Sequence, residues 1–269
     1  MSLVSTEWLN NNLSKVKIFD ASWHMPGSKR DGKKEYFEQH IPSAMFWDLD
    51  EHSDKDSPYP HMMSDAEYWN KMLCKFGITN SDYIIVYDHS PLYSACRLWF
   101  ALKYFGHKKV SVLNGGFQKW LKEEKPITHK ISKIQTTKNY LTIENVNWIK
   151  NKKQINENIQ NKSFVLVDAR NRKRFEGKME EPRPGLKKGS IPNSKNIPFQ
   201  DCINFETNTF KTKSELIKIF AENNVDCYKP TVFTCGSGVS ACVLGLAYFI
   251  INDKNAVIYD GSFAEWGKK

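Results

Sequence analysis

No CxxC pair and no paired spacing occurs among the six cysteines, Cys74, Cys96, Cys202, Cys227, Cys235 and Cys242. That excludes the common zinc-ribbon and disulfide-scaffold patterns and favours a reducing compartment. The opening MSLVSTEWLNNN lacks a basic stretch followed by an apolar one, so no signal peptide is expected. The longest apolar run, Val239–Ile251, falls well short of the ~20 residues a spanning helix needs, and is read as a buried helix. The formal charge is +9, yet the lysines are scattered among acidic neighbours. Without a clustered Lys/Arg stripe, nucleic acid is not an expected partner, and neither is a membrane.

What is present is a core-forming composition: 40% apolar and 13% aromatic residues over 269 positions, enough for one large domain or two ordinary ones. The chain also repeats itself. SACRLWFAL at 94–102 matches SACVLGLAY at 240–248, and VLNGGFQKW at 112–120 matches IYDGSFAEW at 258–266, both at an offset of 146. IFDAS (18–22) with LVDAR (166–170), and HIPSA (40–44) with SIPNS (190–194), agree at offsets of 148 and 150. A nearly constant offset implies a duplicated domain. The polar stretch 122–139 has the composition of a connection. The organisation expected is a domain at 1–125, a linker at 126–140 and a second domain at 141–269.

Each half alternates short β-branched runs with amphipathic segments. Strands are expected at Val16–Asp20, Ile84–Tyr87, Val110–Leu113, Phe164–Asp168, Val232–Thr234 and Val257–Tyr259. Capping boxes are expected at Ser64 with Glu67 and at Thr212 with Glu215. The alternation predicts two α/β domains, each a parallel β-sheet flanked by helices.

Cys235 stands out because a β-rich run ends on it, a Gly236-Ser237-Gly238-Val239 loop follows, and a helix is expected from near Ser240. The loop looks too small to hide the thiol. Glycines allow φ > 0 and inward-pointing N–H groups, and a helix N-terminus adds donors and a positive dipole end. A thiol of ordinary pKa ~8.5 can fall by several units in such a cradle, which would also accept an anion carried on the sulfur. Subtracting the offset of 146 from Cys235 gives His89, so the first half has no cysteine there. The asymmetry points to chemistry in the second half and a supporting role for the first.

CGSGVSA resembles the active-site loop of the rhodanese superfamily, in the form found in 3-mercaptopyruvate sulfurtransferases. The stretches 20–62, 168–199 and 259–266 are similar to the two tandem rhodanese-like domains of that family, the first non-catalytic and the second catalytic. The resemblance implies a sulfurtransferase with no metal or organic cofactor. Cys235 would take sulfur from 3-mercaptopyruvate as a persulfide and pass it to a thiol such as thioredoxin, a small thiol or cyanide. By the same resemblance Ser237, His61 and Asp50 would form a proton relay, in a cleft between the two halves. Arg174 and Arg183 would hold the substrate carboxylate, with Gly236, Gly238, Val239 and Ser240 lining the loop.

Plainer readings exist for several of these residues. Ser237 also satisfies a loop that needs small residues, His61 a surface position, and Asp50 a turn cap. Arg170 is read as structural, pairing locally after a strand; Arg97 suits either a cleft or a buried ion pair, and His89 a loop. Thiosulfate is the alternative donor, but enzymes for that compact dianion carry basic residues where this loop has Gly236 and Ser237. A cysteine phosphatase would need arginine at C-x5-R, where Ala241 stands. A non-catalytic binding module would have no use for the cysteine. Ser190, Asn193 and Ser240 depart from the usual family residues, the first two in a turn expected to be weakened by the change.

Overall fold

The β-branched runs become the inner strands of two parallel sheets. In the computed structural model, which describes residues 2–269, the chain divides into two units. Unit 1 is Met1–Ser53, Ser64–Asn145 and Phe205–Thr209; unit 2 is Asp54–Met63, Val146–Asn204 and Phe210–Lys269. A short piece from within each half of the sequence therefore packs with the opposite unit.

Unit 1 orders its strands Leu3–Val4, Val110–Leu113, Ile84–Tyr87, Lys17–Asp20 and Ala44–Phe46, all parallel. Unit 2 repeats the pattern with Ile149–Lys150, Val257–Tyr259, Thr231–Thr234, Val165–Asp168 and Lys195–Asn196. The six expected strands match within a residue at each end. The two-residue edge strands were not foreseen, because two residues cannot display a period. Each core packs inner-strand residues against a helix: Ile18, Ile85 and Leu113 with Phe117 and Trp120 of the helix Gly116–Lys122 in unit 1, and Leu166, Val232 and Tyr259 with Phe263 of the helix Ser262–Trp266 in unit 2.

The helix Ala241–Asn252 behind the Cys235 loop is apolar nearly all round and buried through Tyr248, as such a helix must be. Burying Leu244 and Leu246 contributes about 1.5–3 kcal/mol each. Gly245 lies mid-helix because a Cβ there would come within 2.8 Å of the Ala256 Cβ. A helix glycine costs about 1 kcal/mol against alanine; here it lets helix and strand approach.

Thr212 and Glu215 form the expected reciprocal cap. Ser64 does not: Asp65 caps the helix Ala66–Lys75 by accepting from Tyr68 N, while Ser64 Oγ donates to His52 O. A carboxylate one residue nearer the helix took the position. Residues 126–140 contain no helix and no strand beyond an isolated bridge from Thr128 to His40. They run along unit 1, where Thr137 N donates to Cys74 O and Tyr140 OH meets His107 Nδ1 at 2.9 Å. Asn193 adopts φ +63°, a left-handed conformation that asparagine tolerates, and its side chain donates to Ile159 O at 2.9 Å. The side-chain bond supports the turn expected to be weak.

Candidate active site

Thr231–Thr234 pairs with Val165–Asp168 so that Thr234 lies opposite Asp168 at the carboxyl ends of both strands. The order of connection reverses between these two strands. Such a switch point opens a crevice in a parallel sheet, and Cys235 is the next residue after Thr234. The helix follows from Ala241, with Ser240 at its cap making no side-chain cap bond.

The two loop glycines serve different ends. Gly238 has φ +78° and supplies the left-handed turn. Gly236 does not; it supplies space. A Cβ on Gly236 would lie 3.2 Å from Arg174 Nη2 and 3.8 Å from Arg183 Nη1. Both expected carboxylate-binding arginines therefore reach the loop at one point.

The loop's backbone is held from behind. Ser262 Oγ accepts from Cys235 N (3.2 Å) and Gly238 N (3.1 Å) and donates to Tyr259 O. Phe263 N and Ala264 N donate to Cys235 O and Gly236 O at 3.0 and 2.9 Å. The amides of Gly236, Ser237, Val239 and Ser240 have no acceptor among the described residues. Held in this way, Cys235 is 1% exposed. The expectation that so small a loop could not hide the thiol is corrected: Cys235 is buried in a loop whose backbone Ser262, Phe263 and Ala264 hold from behind.

His61 Nδ1 lies 2.9 Å from Ser237 Oγ, both side chains being buried. His61 is in Asp54–Met63, which packs with unit 2, so this part of the expected relay is assembled within the unit that carries Cys235. Asp50 lies in unit 1, where its Oδ2 accepts from Trp23 Nε1 at 2.7 Å.

Arg174 is not a bare cation. Its Nε and Nη2 donate to Glu181 at 3.1 and 2.6 Å, and Nη1 has no acceptor among the described residues. Glu181 also accepts from Arg170 Nη1 at 2.7 Å. Arg170 donates further to Asp168 and to Gly189 O, and its guanidinium stacks over the Phe263 ring at 3.7 Å. Burial alone would pull the Arg170 pKa down; Asp168 and Glu181 outweigh it and raise it. Arg170 is thus the structural arginine the sequence indicated. Glu181 was overlooked, although its place two residues before Arg183 in EPRPG was a signal that a carboxylate shared the motif.

The degenerate loop corrects one correspondence. Asp20 lies opposite Tyr87 as Asp168 lies opposite Thr234, and Phe117 N donates to Asp88 O as Phe263 N does to Cys235 O. The counterpart of Cys235 is therefore Asp88, not His89. The first loop, 88–94, is one residue longer than 235–240, so an offset read from the helix slips by one before it. The Asp88 carboxylate fills its own cradle, accepting from Ser90 N (3.0 Å) and Ala95 N (2.6 Å).

Comparison with known proteins agrees with this duplicated architecture. The Rhodanese-like domain model matches residues 5–123 and again 151–269. The chain belongs to the rhodanese family. It is 38% identical to the mouse 3-mercaptopyruvate sulfurtransferase over 98% of this chain and 91% of that protein. It is equally 38% identical to the mouse thiosulfate sulfurtransferase, over 100% and 92%. Among solved structures, SseA of Escherichia coli, described as a 3-mercaptopyruvate sulfotransferase, superposes with a TM-score of 0.87 at 30% identity, covering 97% of this chain and 99% of the other. This rhodanese-family chain is a sulfurtransferase, and no helix among its described residues is long and apolar enough to cross a membrane.

Proposed function

We propose that the chain transfers sulfur from 3-mercaptopyruvate, through a persulfide on Cys235, to a thiol or cyanide acceptor, releasing pyruvate. The observation that carries the choice of donor is the 2.9 Å approach of His61 Nδ1 to Ser237 Oγ, two residues from Cys235 in a loop without a cation.

The Cys235 thiolate attacks the substrate sulfur, an S–S bond forms and the C–S bond breaks. Its electron pair leaves on carbon as the enolate of pyruvate. The substrate's S–H proton must leave and the enolate carbon must gain one, so a relay joining the two steps lowers the barrier. Ser237 and His61 carry that proton, with Asp50 as the relay's third member. The loop amides of Gly236, Ser237, Val239 and Ser240, set by the left-handed turn at Gly238, hold the persulfide as an anion. Arg174 and Arg183 bind the carboxylate, for which a planar fork is suited. A second thiolate, from thioredoxin or a small thiol, or cyanide, then attacks the outer sulfur and regenerates Cys235. The thiol chemistry suits a reducing compartment, and we place the enzyme in the cytoplasm.

Thiosulfate is the second reading, favoured by the two guanidinium groups beside Gly236 and by the equal identity to proteins named for it. Its S–S cleavage releases sulfite, which needs no proton, so the His61–Ser237 pair would be idle. Measuring kcat/KM for both donors with cyanide as acceptor decides between them. Preference for 3-mercaptopyruvate is expected; preference for thiosulfate overturns the donor assignment.

A further inference from the structure

His61 sits on a backbone that needs outside support. Its φ of +62° is left-handed, a conformation uncommon for residues with a Cβ. Its segment, Asp54–Met63, contributes no regular helix or strand. Two residues beyond His61, Met63 N donates to Asp260 Oδ2 at 2.8 Å. Asp260 is 3% exposed and directly follows the strand Val257–Tyr259. Two residues further, Ser262 holds the amides of Cys235 and Gly238. One four-residue stretch, Tyr259–Ser262, thus fastens both the thiol loop and the histidine segment. An N–H bond to a carboxylate is about twice as strong as one between neutral groups.

We propose that Asp260 is a positioning residue for the proton relay: by fixing the backbone at Met63 it holds the His61 ring on Ser237. This rests on the function proposed above and adds to it a residue that acts through the backbone at Met63. The relay matters where a carbanion must be protonated, and not where sulfite departs, so the two donors respond differently to its disturbance.

The test compares Asp260→Ala, Asp260→Asn and His61→Ala in steady-state assays with 3-mercaptopyruvate and with thiosulfate. Asp260→Ala is expected to lower kcat for 3-mercaptopyruvate by about 10–100-fold, with KM within about threefold, and to affect thiosulfate turnover far less. Asp260→Asn keeps an acceptor oxygen and the side-chain volume, so it should recover most of the loss. It also keeps the test decisive should the alanine variant fold poorly. Combined with His61→Ala, Asp260→Ala should lower the rate no further. Equal losses for both donors, or a further loss on the His61→Ala background, would mark Asp260 as merely structural and overturn the proposal. If His61→Ala alone leaves 3-mercaptopyruvate turnover intact, the relay itself is absent and both readings fall. If His61→Ala is slow but the Asp260 variants are not, only the positioning role fails.

Discussion

Asp88 stands in the first copy of the loop where Cys235 stands in the second, each the residue after a central strand and each with its carbonyl taken by the amide of a phenylalanine, Phe117 or Phe263. In the first copy loop donors close on the Asp88 carboxyl group; in the second, the amides of Gly236, Ser237, Val239 and Ser240 have no acceptor among the described residues. The same backbone frame therefore holds an internal carboxyl group in one unit and leaves loop donors unoccupied in the other.

Cys235→Ser should abolish turnover with either donor, by at least about a thousandfold, because an alkoxide is inaccessible at neutral pH where a thiolate is not. Intact-protein mass spectrometry after incubation with donor alone should show one added sulfur atom on the wild type and none on the variant. Sulfur retained by the variant would place the nucleophile elsewhere.

Ser237→Ala should reduce kcat for 3-mercaptopyruvate by about 10²–10⁴-fold, the range of general acid–base contributions. The loop keeps a small residue, so thiosulfate turnover should change by only a few-fold. Parallel losses for both donors would show that Ser237 shapes the loop without carrying a proton.

Glu181→Gln removes the charge shared by Arg170 and Arg174, whose ion pairs with it are nearly fully buried on the glutamate side. Two guanidinium groups would then lie close together with less compensation. Stability should fall by about 1–3 kcal/mol, read from the urea midpoint. The KM for 3-mercaptopyruvate should rise as Arg174 loses its orientation. Unchanged KM would remove Arg174 from substrate binding.

Burial pushes the Asp88 carboxyl up to about 7 and that of Asp20 up to about 6. A raised folded-state value means that the folded protein prefers the protonated acid. Each group's contribution is thus present at low pH and is lost as pH rises from about 4 through these values. His24 and His89, lowered by burial, act in the opposite sense as pH falls. Comparing wild type with Asp88→Asn isolates one group. The variant loses an acceptor at every pH, but its stability relative to wild type should improve by about 2–4 kcal/mol between pH 4 and 8. Chemical denaturation across that range would show it; a pH-independent difference would mean that Asp88 stays ionised.

The fold was legible where its cause was local. Ile84–Tyr87 and Val110–Leu113 are β-branched runs, and the Thr212–Glu215 cap needs only neighbours in sequence. The duplication was legible because both copies bury equivalent helix faces, keeping SACRLWFAL and SACVLGLAY alike. Where two adjacent residues could each satisfy one requirement, as Ser64 and Asp65 could for a cap, pattern alone chose wrongly.

By itself the sequence determined that this is a duplicated α/β protein with a cysteine loop at a strand–helix junction in one copy only, because periodicity and small-residue loops are properties of neighbouring residues. Tertiary structure alone decided that Cys235 is enclosed, that Gly236 makes room for two arginines, that Glu181 joins Arg170 to Arg174, and that His61 packs with the unit bearing Ser237. Those relations join residues as far apart as 61 and 237. Their contacts depend on which surfaces the folded chain brings together, and no local pattern encodes that.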